Sequence, residues 1–118
     1  VHVAGFVSER ELIARTLASA DAFLHGSAAE TYGLVVAEAI CSGLPIVVPD
    51  VGGAADLADD AFAETYPAGD VSACAAAMTA LLTRPRALVQ QAALETAQHR
   101  IGTMDDHFTA LFAAYERL

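Results

Sequence analysis

The sequence predicts an α/β protein, a Rossmann-like parallel sheet with helices on both faces. Three observations predict it. Short runs such as "VHVAGFV", "DAFLHGS" and "PIVVPD" are almost wholly apolar, as strands buried on both sides must be. The segments between them carry apolar residues at helical spacing. Strand and helix alternate along the chain, the order that yields parallel strands joined by right-handed crossovers.

Val1 to Val7 reads as a short buried strand, and Ser8 is placed to cap the helix "ERELIARTLASA", where Leu12, Ile13, Leu17 and Ala20 recur at helical spacing. "DAFLHGS" is a second strand. Glu30 to Ile40 reads as a mostly apolar helix stopped by Gly43, and Pro45 lets "PIVVPD" begin as a third buried strand. Gly52 and Gly53 open another short helix, "GAADLAD". "AETYPAGD" supplies a fourth, shorter strand and a loop, and Asp70 caps an Ala-rich helix from Val71 to Leu82 that stops before Pro85. Two more helices end the chain. The last starts at Thr103 with Asp105 and Asp106 in its first turn, where acidic side chains suit the positive helix end. Its residues Phe108, Leu111, Phe112, Tyr115 and Leu118 make one apolar face. No repeat or linker divides the sequence, so residues 1–118 read as a single domain.

The 118 residues are 55% hydrophobic and 18% charged, enough apolar material for a packed core. The apolar runs fall short of the roughly 18 residues of a membrane span and no leader opens the chain, which is read as cytoplasmic. Net charge is −9 and lysine is absent; Arg10, Arg15, Arg84, Arg86, Arg100 and Arg117 are scattered. Nucleic acid and anionic membrane surfaces both need clustered cations, so neither is an expected partner. Cys41 and Cys74 sit far apart in apolar surroundings and are expected to be buried thiols, with no disulfide or zinc framework. His2, His99 and His107 lack sequence partners for a metal site.

In doubly wound sheets, ligands sit beyond the carboxyl ends of the strands. "FVSE", "HGSAAET" and "PDVGGA" land there. Glu30 and Glu38 lie eight positions apart across an expected helix start, a separation of ~12 Å along a helix, comparable with a nucleoside diphosphate sugar from hexose to ribose. Between them the backbone N–H groups of Tyr32, Gly33 and Leu34 and the helix dipole favour an anion, and Gly33 allows close approach. Carboxylates accept hydrogen bonds from neighbouring sugar hydroxyls. Acidic residues in first turns also arise through the dipole alone, and that reading of Glu30 stays open. Glu38, among Val35, Val36, Ala37, Ala39 and Ile40, is either on a narrow exposed stripe or held by a partner.

The stretch "GFVSERELIARTLASADAFLHGSAAETYGLVVAEAICSGLPIVVPDVGGAADL" closely resembles the C-terminal nucleotide-sugar-binding domain of the large retaining GT-B glycosyltransferases. That group contains sucrose synthase, glycogen synthase-like enzymes and many bacterial α-mannosyl- and glucosyltransferases. The resemblance runs from about Val3 to Leu82 and rests on elements in order: a glycine-ended strand, "AD-F-L--S", the E-x7-E pair with an aromatic-glycine inside, "A-CSGLPIVV-D-GG", and "PAGD" before a helix.

By this resemblance Glu30, the catalytic-site candidate, contacts hydroxyls of the transferred sugar, and Glu38 grips the ribose. Amides of Tyr32, Gly33, Leu34 and Val35 hold the sugar and diphosphate, and main-chain groups of Phe6 and Val7 read the base. The donor is a nucleotide diphosphate sugar, and no metal or other cofactor is obligatory. The resemblance also implies two strands before Val1, with an Arg and a Lys that neutralise the diphosphate, and a separate N-terminal acceptor domain. The chain is accordingly expected to be the C-terminal part of a donor-binding domain and inactive by itself. With Val1 to Val7 separated from its usual neighbours, that strand either moves in beside "DAFLH" or pairs with a second chain. The last helix offers another route to a homodimer.

His25 ends a strand near the expected site and reads first as structural, second as a phosphate donor. Ser27, Asp50, Gly52 and Gly53 read first as turn residues. Asp59 and Asp60 form a solvated turn. A non-catalytic nucleotide-binding or assembly module on the same fold is the alternative function. A dinucleotide-dependent oxidoreductase is disfavoured because no G-x-G-x-x-G follows a strand.

Overall fold

The computed structural model describes residues 1–117; of Met104, His107, Phe108, Leu111 and Tyr115 it describes the backbone alone. The elements run α1 (Arg10–Ser19), β1 (Phe23–Leu24), α2 (Leu34–Cys41), β2 (Ile46–Pro49), α3 (Gly53–Asp56), β3 (Ala63–Tyr66), α4 (Val71–Thr83), α5 (Arg86–Arg100) and α6 (Met104–Tyr115). Among the described residues the strands form one parallel sheet, β1-β2-β3, with Phe23 opposite Ile46 and Ile46 opposite Ala63. This is the α/β architecture the sequence predicts.

Central strand β2 is buried at every position, and its alternation explains why. Ile46 and Val48 pack with Val36 and Ile40 of α2, Ala54 of α3, Val89 and Ala93 of α5, and Phe62. Val47 points to the other face, onto Tyr66 and onto Ala77 and Leu81 of α4. Helices therefore cover both faces of the strand.

Helix ends follow local chemistry. At the end of α2, Gly43 adopts φ +75°, its N–H donates to the Ile40 carbonyl (2.9 Å) and the Leu44 N–H donates to that of Ala39 (3.0 Å). That paired arrangement turns the chain sharply into β2. Asp70 caps α4 by accepting from the Ala73 N–H at 2.9 Å. Thr103 and Asp106 form a reciprocal capping box at α6, and the hydrogen bonds from Thr103 hold the Asp106 carboxyl below the usual carboxylate range.

Several expectations are corrected. Val1 to Val7 is not a strand and does not pair with β1; Val1, Val3 and Phe6 are exposed. An extended segment is held only where a matching edge accepts its backbone, and β1 offers a ladder of two residues. The second strand is thus Phe23–Leu24 rather than "DAFLHGS", with the pairing carried one step further by the His25 N–H donating to the Val47 carbonyl at 2.9 Å. Glu9, not Ser8, precedes α1 at its N-cap, and no side chain caps that helix. α1 has no buried residue; its Leu17, and Ala20 just past its end, pack against the core.

The helix expected from Glu30 begins four residues later, at Leu34, because Gly33 has φ +82°, a left-handed conformation that a right-handed helix cannot pass through. Cys41 is exposed and Cys74 half-buried, so neither is a fully buried thiol. Phe112 is exposed; the side chains of Phe108, Leu111 and Tyr115, and Leu118, the rest of the expected apolar face, lie outside the described residues.

Phe62 is wholly buried where α2, α5 and the sheet converge. Phe62→Ala is expected to lower the unfolding free energy by roughly 3–5 kcal/mol, measured by urea denaturation followed by far-UV circular dichroism.

Candidate functional site

The carboxyl edge of the sheet is tied together by hydrogen bonds between segments far apart in sequence. Tyr66, ending β3, donates its phenol to the His25 carbonyl at 2.9 Å. The Asp50 N–H donates to the Tyr66 carbonyl (2.8 Å), and the Asp50 carboxylate accepts from the Ala68 N–H (3.1 Å). Burial, and secondarily the neighbouring Cys74, push the Tyr66 phenol up from its ordinary value, which keeps it a donor. Asp50 is therefore a loop-organising residue of this edge.

On this edge rests the loop leading to α2. The Gly53 N–H donates to the Glu30 carbonyl at 2.9 Å. A Cβ at Gly53 would stand 2.3 Å from the Thr31 carbonyl oxygen, and one at Gly52, whose φ is +83°, would stand 2.8 Å from that of Ala28. The glycine pair thus supplies turn geometry, as expected, and a backbone surface on which residues 28–31 lie. Gly33 is buried against the Ala54 main chain.

The Glu30 side chain is 31% exposed and its Oε1 lies 3.8 Å from Nε2 of His25. His25 is buried and its ring stacks on Phe23. Because Glu30 precedes α2, helical rise does not set its distance from Glu38.

α2 begins without a side-chain cap and without an acidic residue in its first turn. The first amide bonded within the helix is that of Ala37, to the Gly33 carbonyl, so the preceding amides have no partner inside the helix; of these, Leu34 and Val35 are exposed and Val36 is wholly buried. Tyr32 and Gly33, expected to share that role, lie ahead of the helix. Leu34 is 70% exposed and Val35 is also exposed.

Glu38 occupies an exposed stripe of α2 and lines a cleft on either side of it. One, about 370 Å³, is shared with Arg10, Ile13 and Leu17 of α1. The other, about 490 Å³, brings Glu38 together with Tyr32, Leu34, Ala37 and Cys41 and is closed by Ile101, Gly102 and Thr103. Nothing in the sequence pattern pointed to those last three residues, which the α5–α6 turn carries to α2. Phe6 and Val7 lie in the irregular segment before α1, outside any strand, with Phe6 95% exposed; neither lines these clefts. Among the described residues no three His, Cys, Asp or Glu side chains gather as metal ligands, and no helix is long and apolar enough to cross a membrane.

A parallel sheet with helices on both faces and an uncapped helix start at its carboxyl edge is a Rossmann-like α/β arrangement. Residues 1–99 match the family described as Glycosyl transferases group 1, and the chain belongs to that family. It is 49% identical over 45 residues to a GDP-mannose-dependent alpha-mannosyltransferase of Mycobacterium tuberculosis, covering 38% of this chain and 12% of that protein. It is 37% identical over 89 residues to the sulfoquinovosyl transferase SQD2 of Arabidopsis thaliana, covering 70% of this chain and 18% of that one. The crystal structure of Anabaena HepE in complex with UDP superimposes with a TM-score of 0.71 at 23% identity, over 85% of this chain and 29% of HepE, a likeness of fold. The chain spans less than a third of the length of each of these proteins. The fold is that of a GT-B glycosyltransferase domain.

Two outcomes check this geometry. Gly53→Ala is expected to cost roughly 1–3 kcal/mol through overlap with the Thr31 main chain, seen as a lowered thermal midpoint. Partial burial and, secondarily, the Glu38 carboxylate raise the Cys41 thiol above its ordinary value. Removing that charge lowers it again, so Glu38→Gln is expected to speed Cys41 alkylation by iodoacetamide at neutral pH, followed by mass spectrometry.

Proposed function

We propose that the chain is the partial donor-binding domain of a retaining glycosyltransferase that moves a hexose from a nucleotide diphosphate sugar to a hydroxyl acceptor. The observation that carries this reading is the cleft in which Tyr32, Leu34 and Glu38 meet beside the uncapped start of α2. The diphosphate would lie over the amides of Leu34 and Val35, with Tyr32 and Gly33 beside it. Glu30 would hold hydroxyls of the transferred sugar and Glu38 those of the ribose, with main-chain groups of Phe6 and Val7 meeting the base. As the sugar–phosphate bond breaks, negative charge grows on the leaving diphosphate, and donors aimed there lower the barrier. In this reading the helix amides, and cations from the rest of the enzyme, meet that charge without an obligatory metal.

The expected partner is an acceptor-binding N-terminal domain, and the chain alone is proposed to be inactive. Its mycobacterial relatives favour a bacterial enzyme, for which we assign a cytoplasmic setting. A second reading, a non-catalytic or self-assembling module, is favoured by the exposure of Val1, Val3 and Phe6, an apolar segment free to meet a second copy.

Calorimetric titration with GDP, UDP and ADP and their sugars separates the two. The donor reading expects base-selective binding that Glu38→Ala weakens about tenfold or more, the loss of a hydrogen bond to a charged acceptor. No binding by the wild-type chain, together with a dimer in light scattering, would favour the assembly module.

A further inference from the structure

We infer that His25 is a positioning residue for Glu30: its Nε2–H donates to the Glu30 carboxylate and sets the direction in which that carboxylate meets the sugar. The inference rests on the donor reading above and adds a residue to it.

Three observations carry it. His25 is 9% exposed, and its Nε2 is a buried side-chain nitrogen without a hydrogen-bond partner. A buried polar atom in that state costs free energy, so the site is poised to supply a partner. The Glu30 Oε1 stands 3.8 Å from Nε2, and closing the gap to a hydrogen bond takes a side-chain shift of about 1 Å. The main chain of both residues is anchored by hydrogen bonds to neighbouring segments. The His25 carbonyl accepts from the Tyr66 phenol, the His25 N–H donates to Val47, and the Glu30 carbonyl accepts from Gly53.

Nε2 is too enclosed to touch a ligand itself, whereas the Glu30 carboxylate is partly open. A carboxylate has room for several donors. Sugar hydroxyls approaching its open side and Nε2–H on its enclosed side therefore do not compete. A bound sugar draws Glu30 into a fixed orientation, and His25 holds it there.

The test uses the whole chain with GDP-mannose, UDP-glucose, GDP and UDP as probes, and long-range 1H–15N NMR of the histidine ring. In the wild type the neutral ring is expected to carry its proton on Nε2, with a signal that moves in Glu30→Ala. His25→Leu should weaken binding of the nucleotide sugar about tenfold while changing that of the free nucleotide less than twofold. His25→Gln, which keeps an N–H donor, should restore most of the loss. A ring signal indifferent to Glu30→Ala overturns the inference. So does a His25→Leu loss that falls equally on sugar and free nucleotide, because that marks a histidine serving the fold alone. If Glu30→Ala erases the sugar-dependent part of binding and His25→Leu does not, the donor reading stands and the positioning role falls. If Glu30→Ala leaves that part untouched, or none exists in the wild type, the donor reading itself fails and takes this role with it.

Discussion

The arrangement depends on a contact between two stretches of bare main chain. Residues 28–31 lie on Gly52 and Gly53 so closely that a methyl group at Gly53 would stand 2.3 Å from the Thr31 carbonyl oxygen. Close approach of this kind is open only to glycine. It places the Glu30 carbonyl on the Gly53 N–H, delivers the chain to Gly33 in a left-handed conformation, and so determines where α2 starts and which amides it leaves unfilled.

Packing beneath the loop fixes where that contact occurs. β2 is apolar at every position because each of its faces has a helical cover, α2, α3 and α5 on one side and α4 on the other. Its carboxyl end runs through Asp50 into the glycine turn, while Tyr66 spans from β3 to the main chain at the end of β1. The site is thus assembled by backbone groups and glycines, and side chains such as Glu30 and Glu38 are mounted on it.

Much of this was legible in the residues. Alternation of strands and helices, the stop at Gly43 and the Asp70 cap are local signals, and each holds in the fold. The start of α2 was misplaced because helical spacing extends through "ETYG" as readily as through "LVVAEA", and only the φ of Gly33 separates them. Val1 to Val7 has the composition of a strand, yet a strand is a relation between segments, and composition carries no information on whether an edge is on offer. The closeness of His25 to Glu30 is likewise tertiary: five positions apart in a loop, they meet because the glycine turn folds that loop back. The apolar cleft wall at Ile101–Thr103 depends on where a distant helix turn comes to rest.

The arginines show a consequence of a different kind. Arg15 pairs with Glu11, Arg86 with Asp21, Arg84 with Glu64 and Arg100 with Asp59, while Arg84 and Arg100 also donate to main-chain carbonyls around residues 56–61. With a net charge of −9, the chain would repel a dianion at long range and, on the donor reading, attract it only at contact. Dissolved salt then has opposite effects on the two stages of association. Screening over a Debye length of about 8 Å at physiological ionic strength would ease such a ligand's approach, while a short-range grip by the α2 amides would be weakened far less.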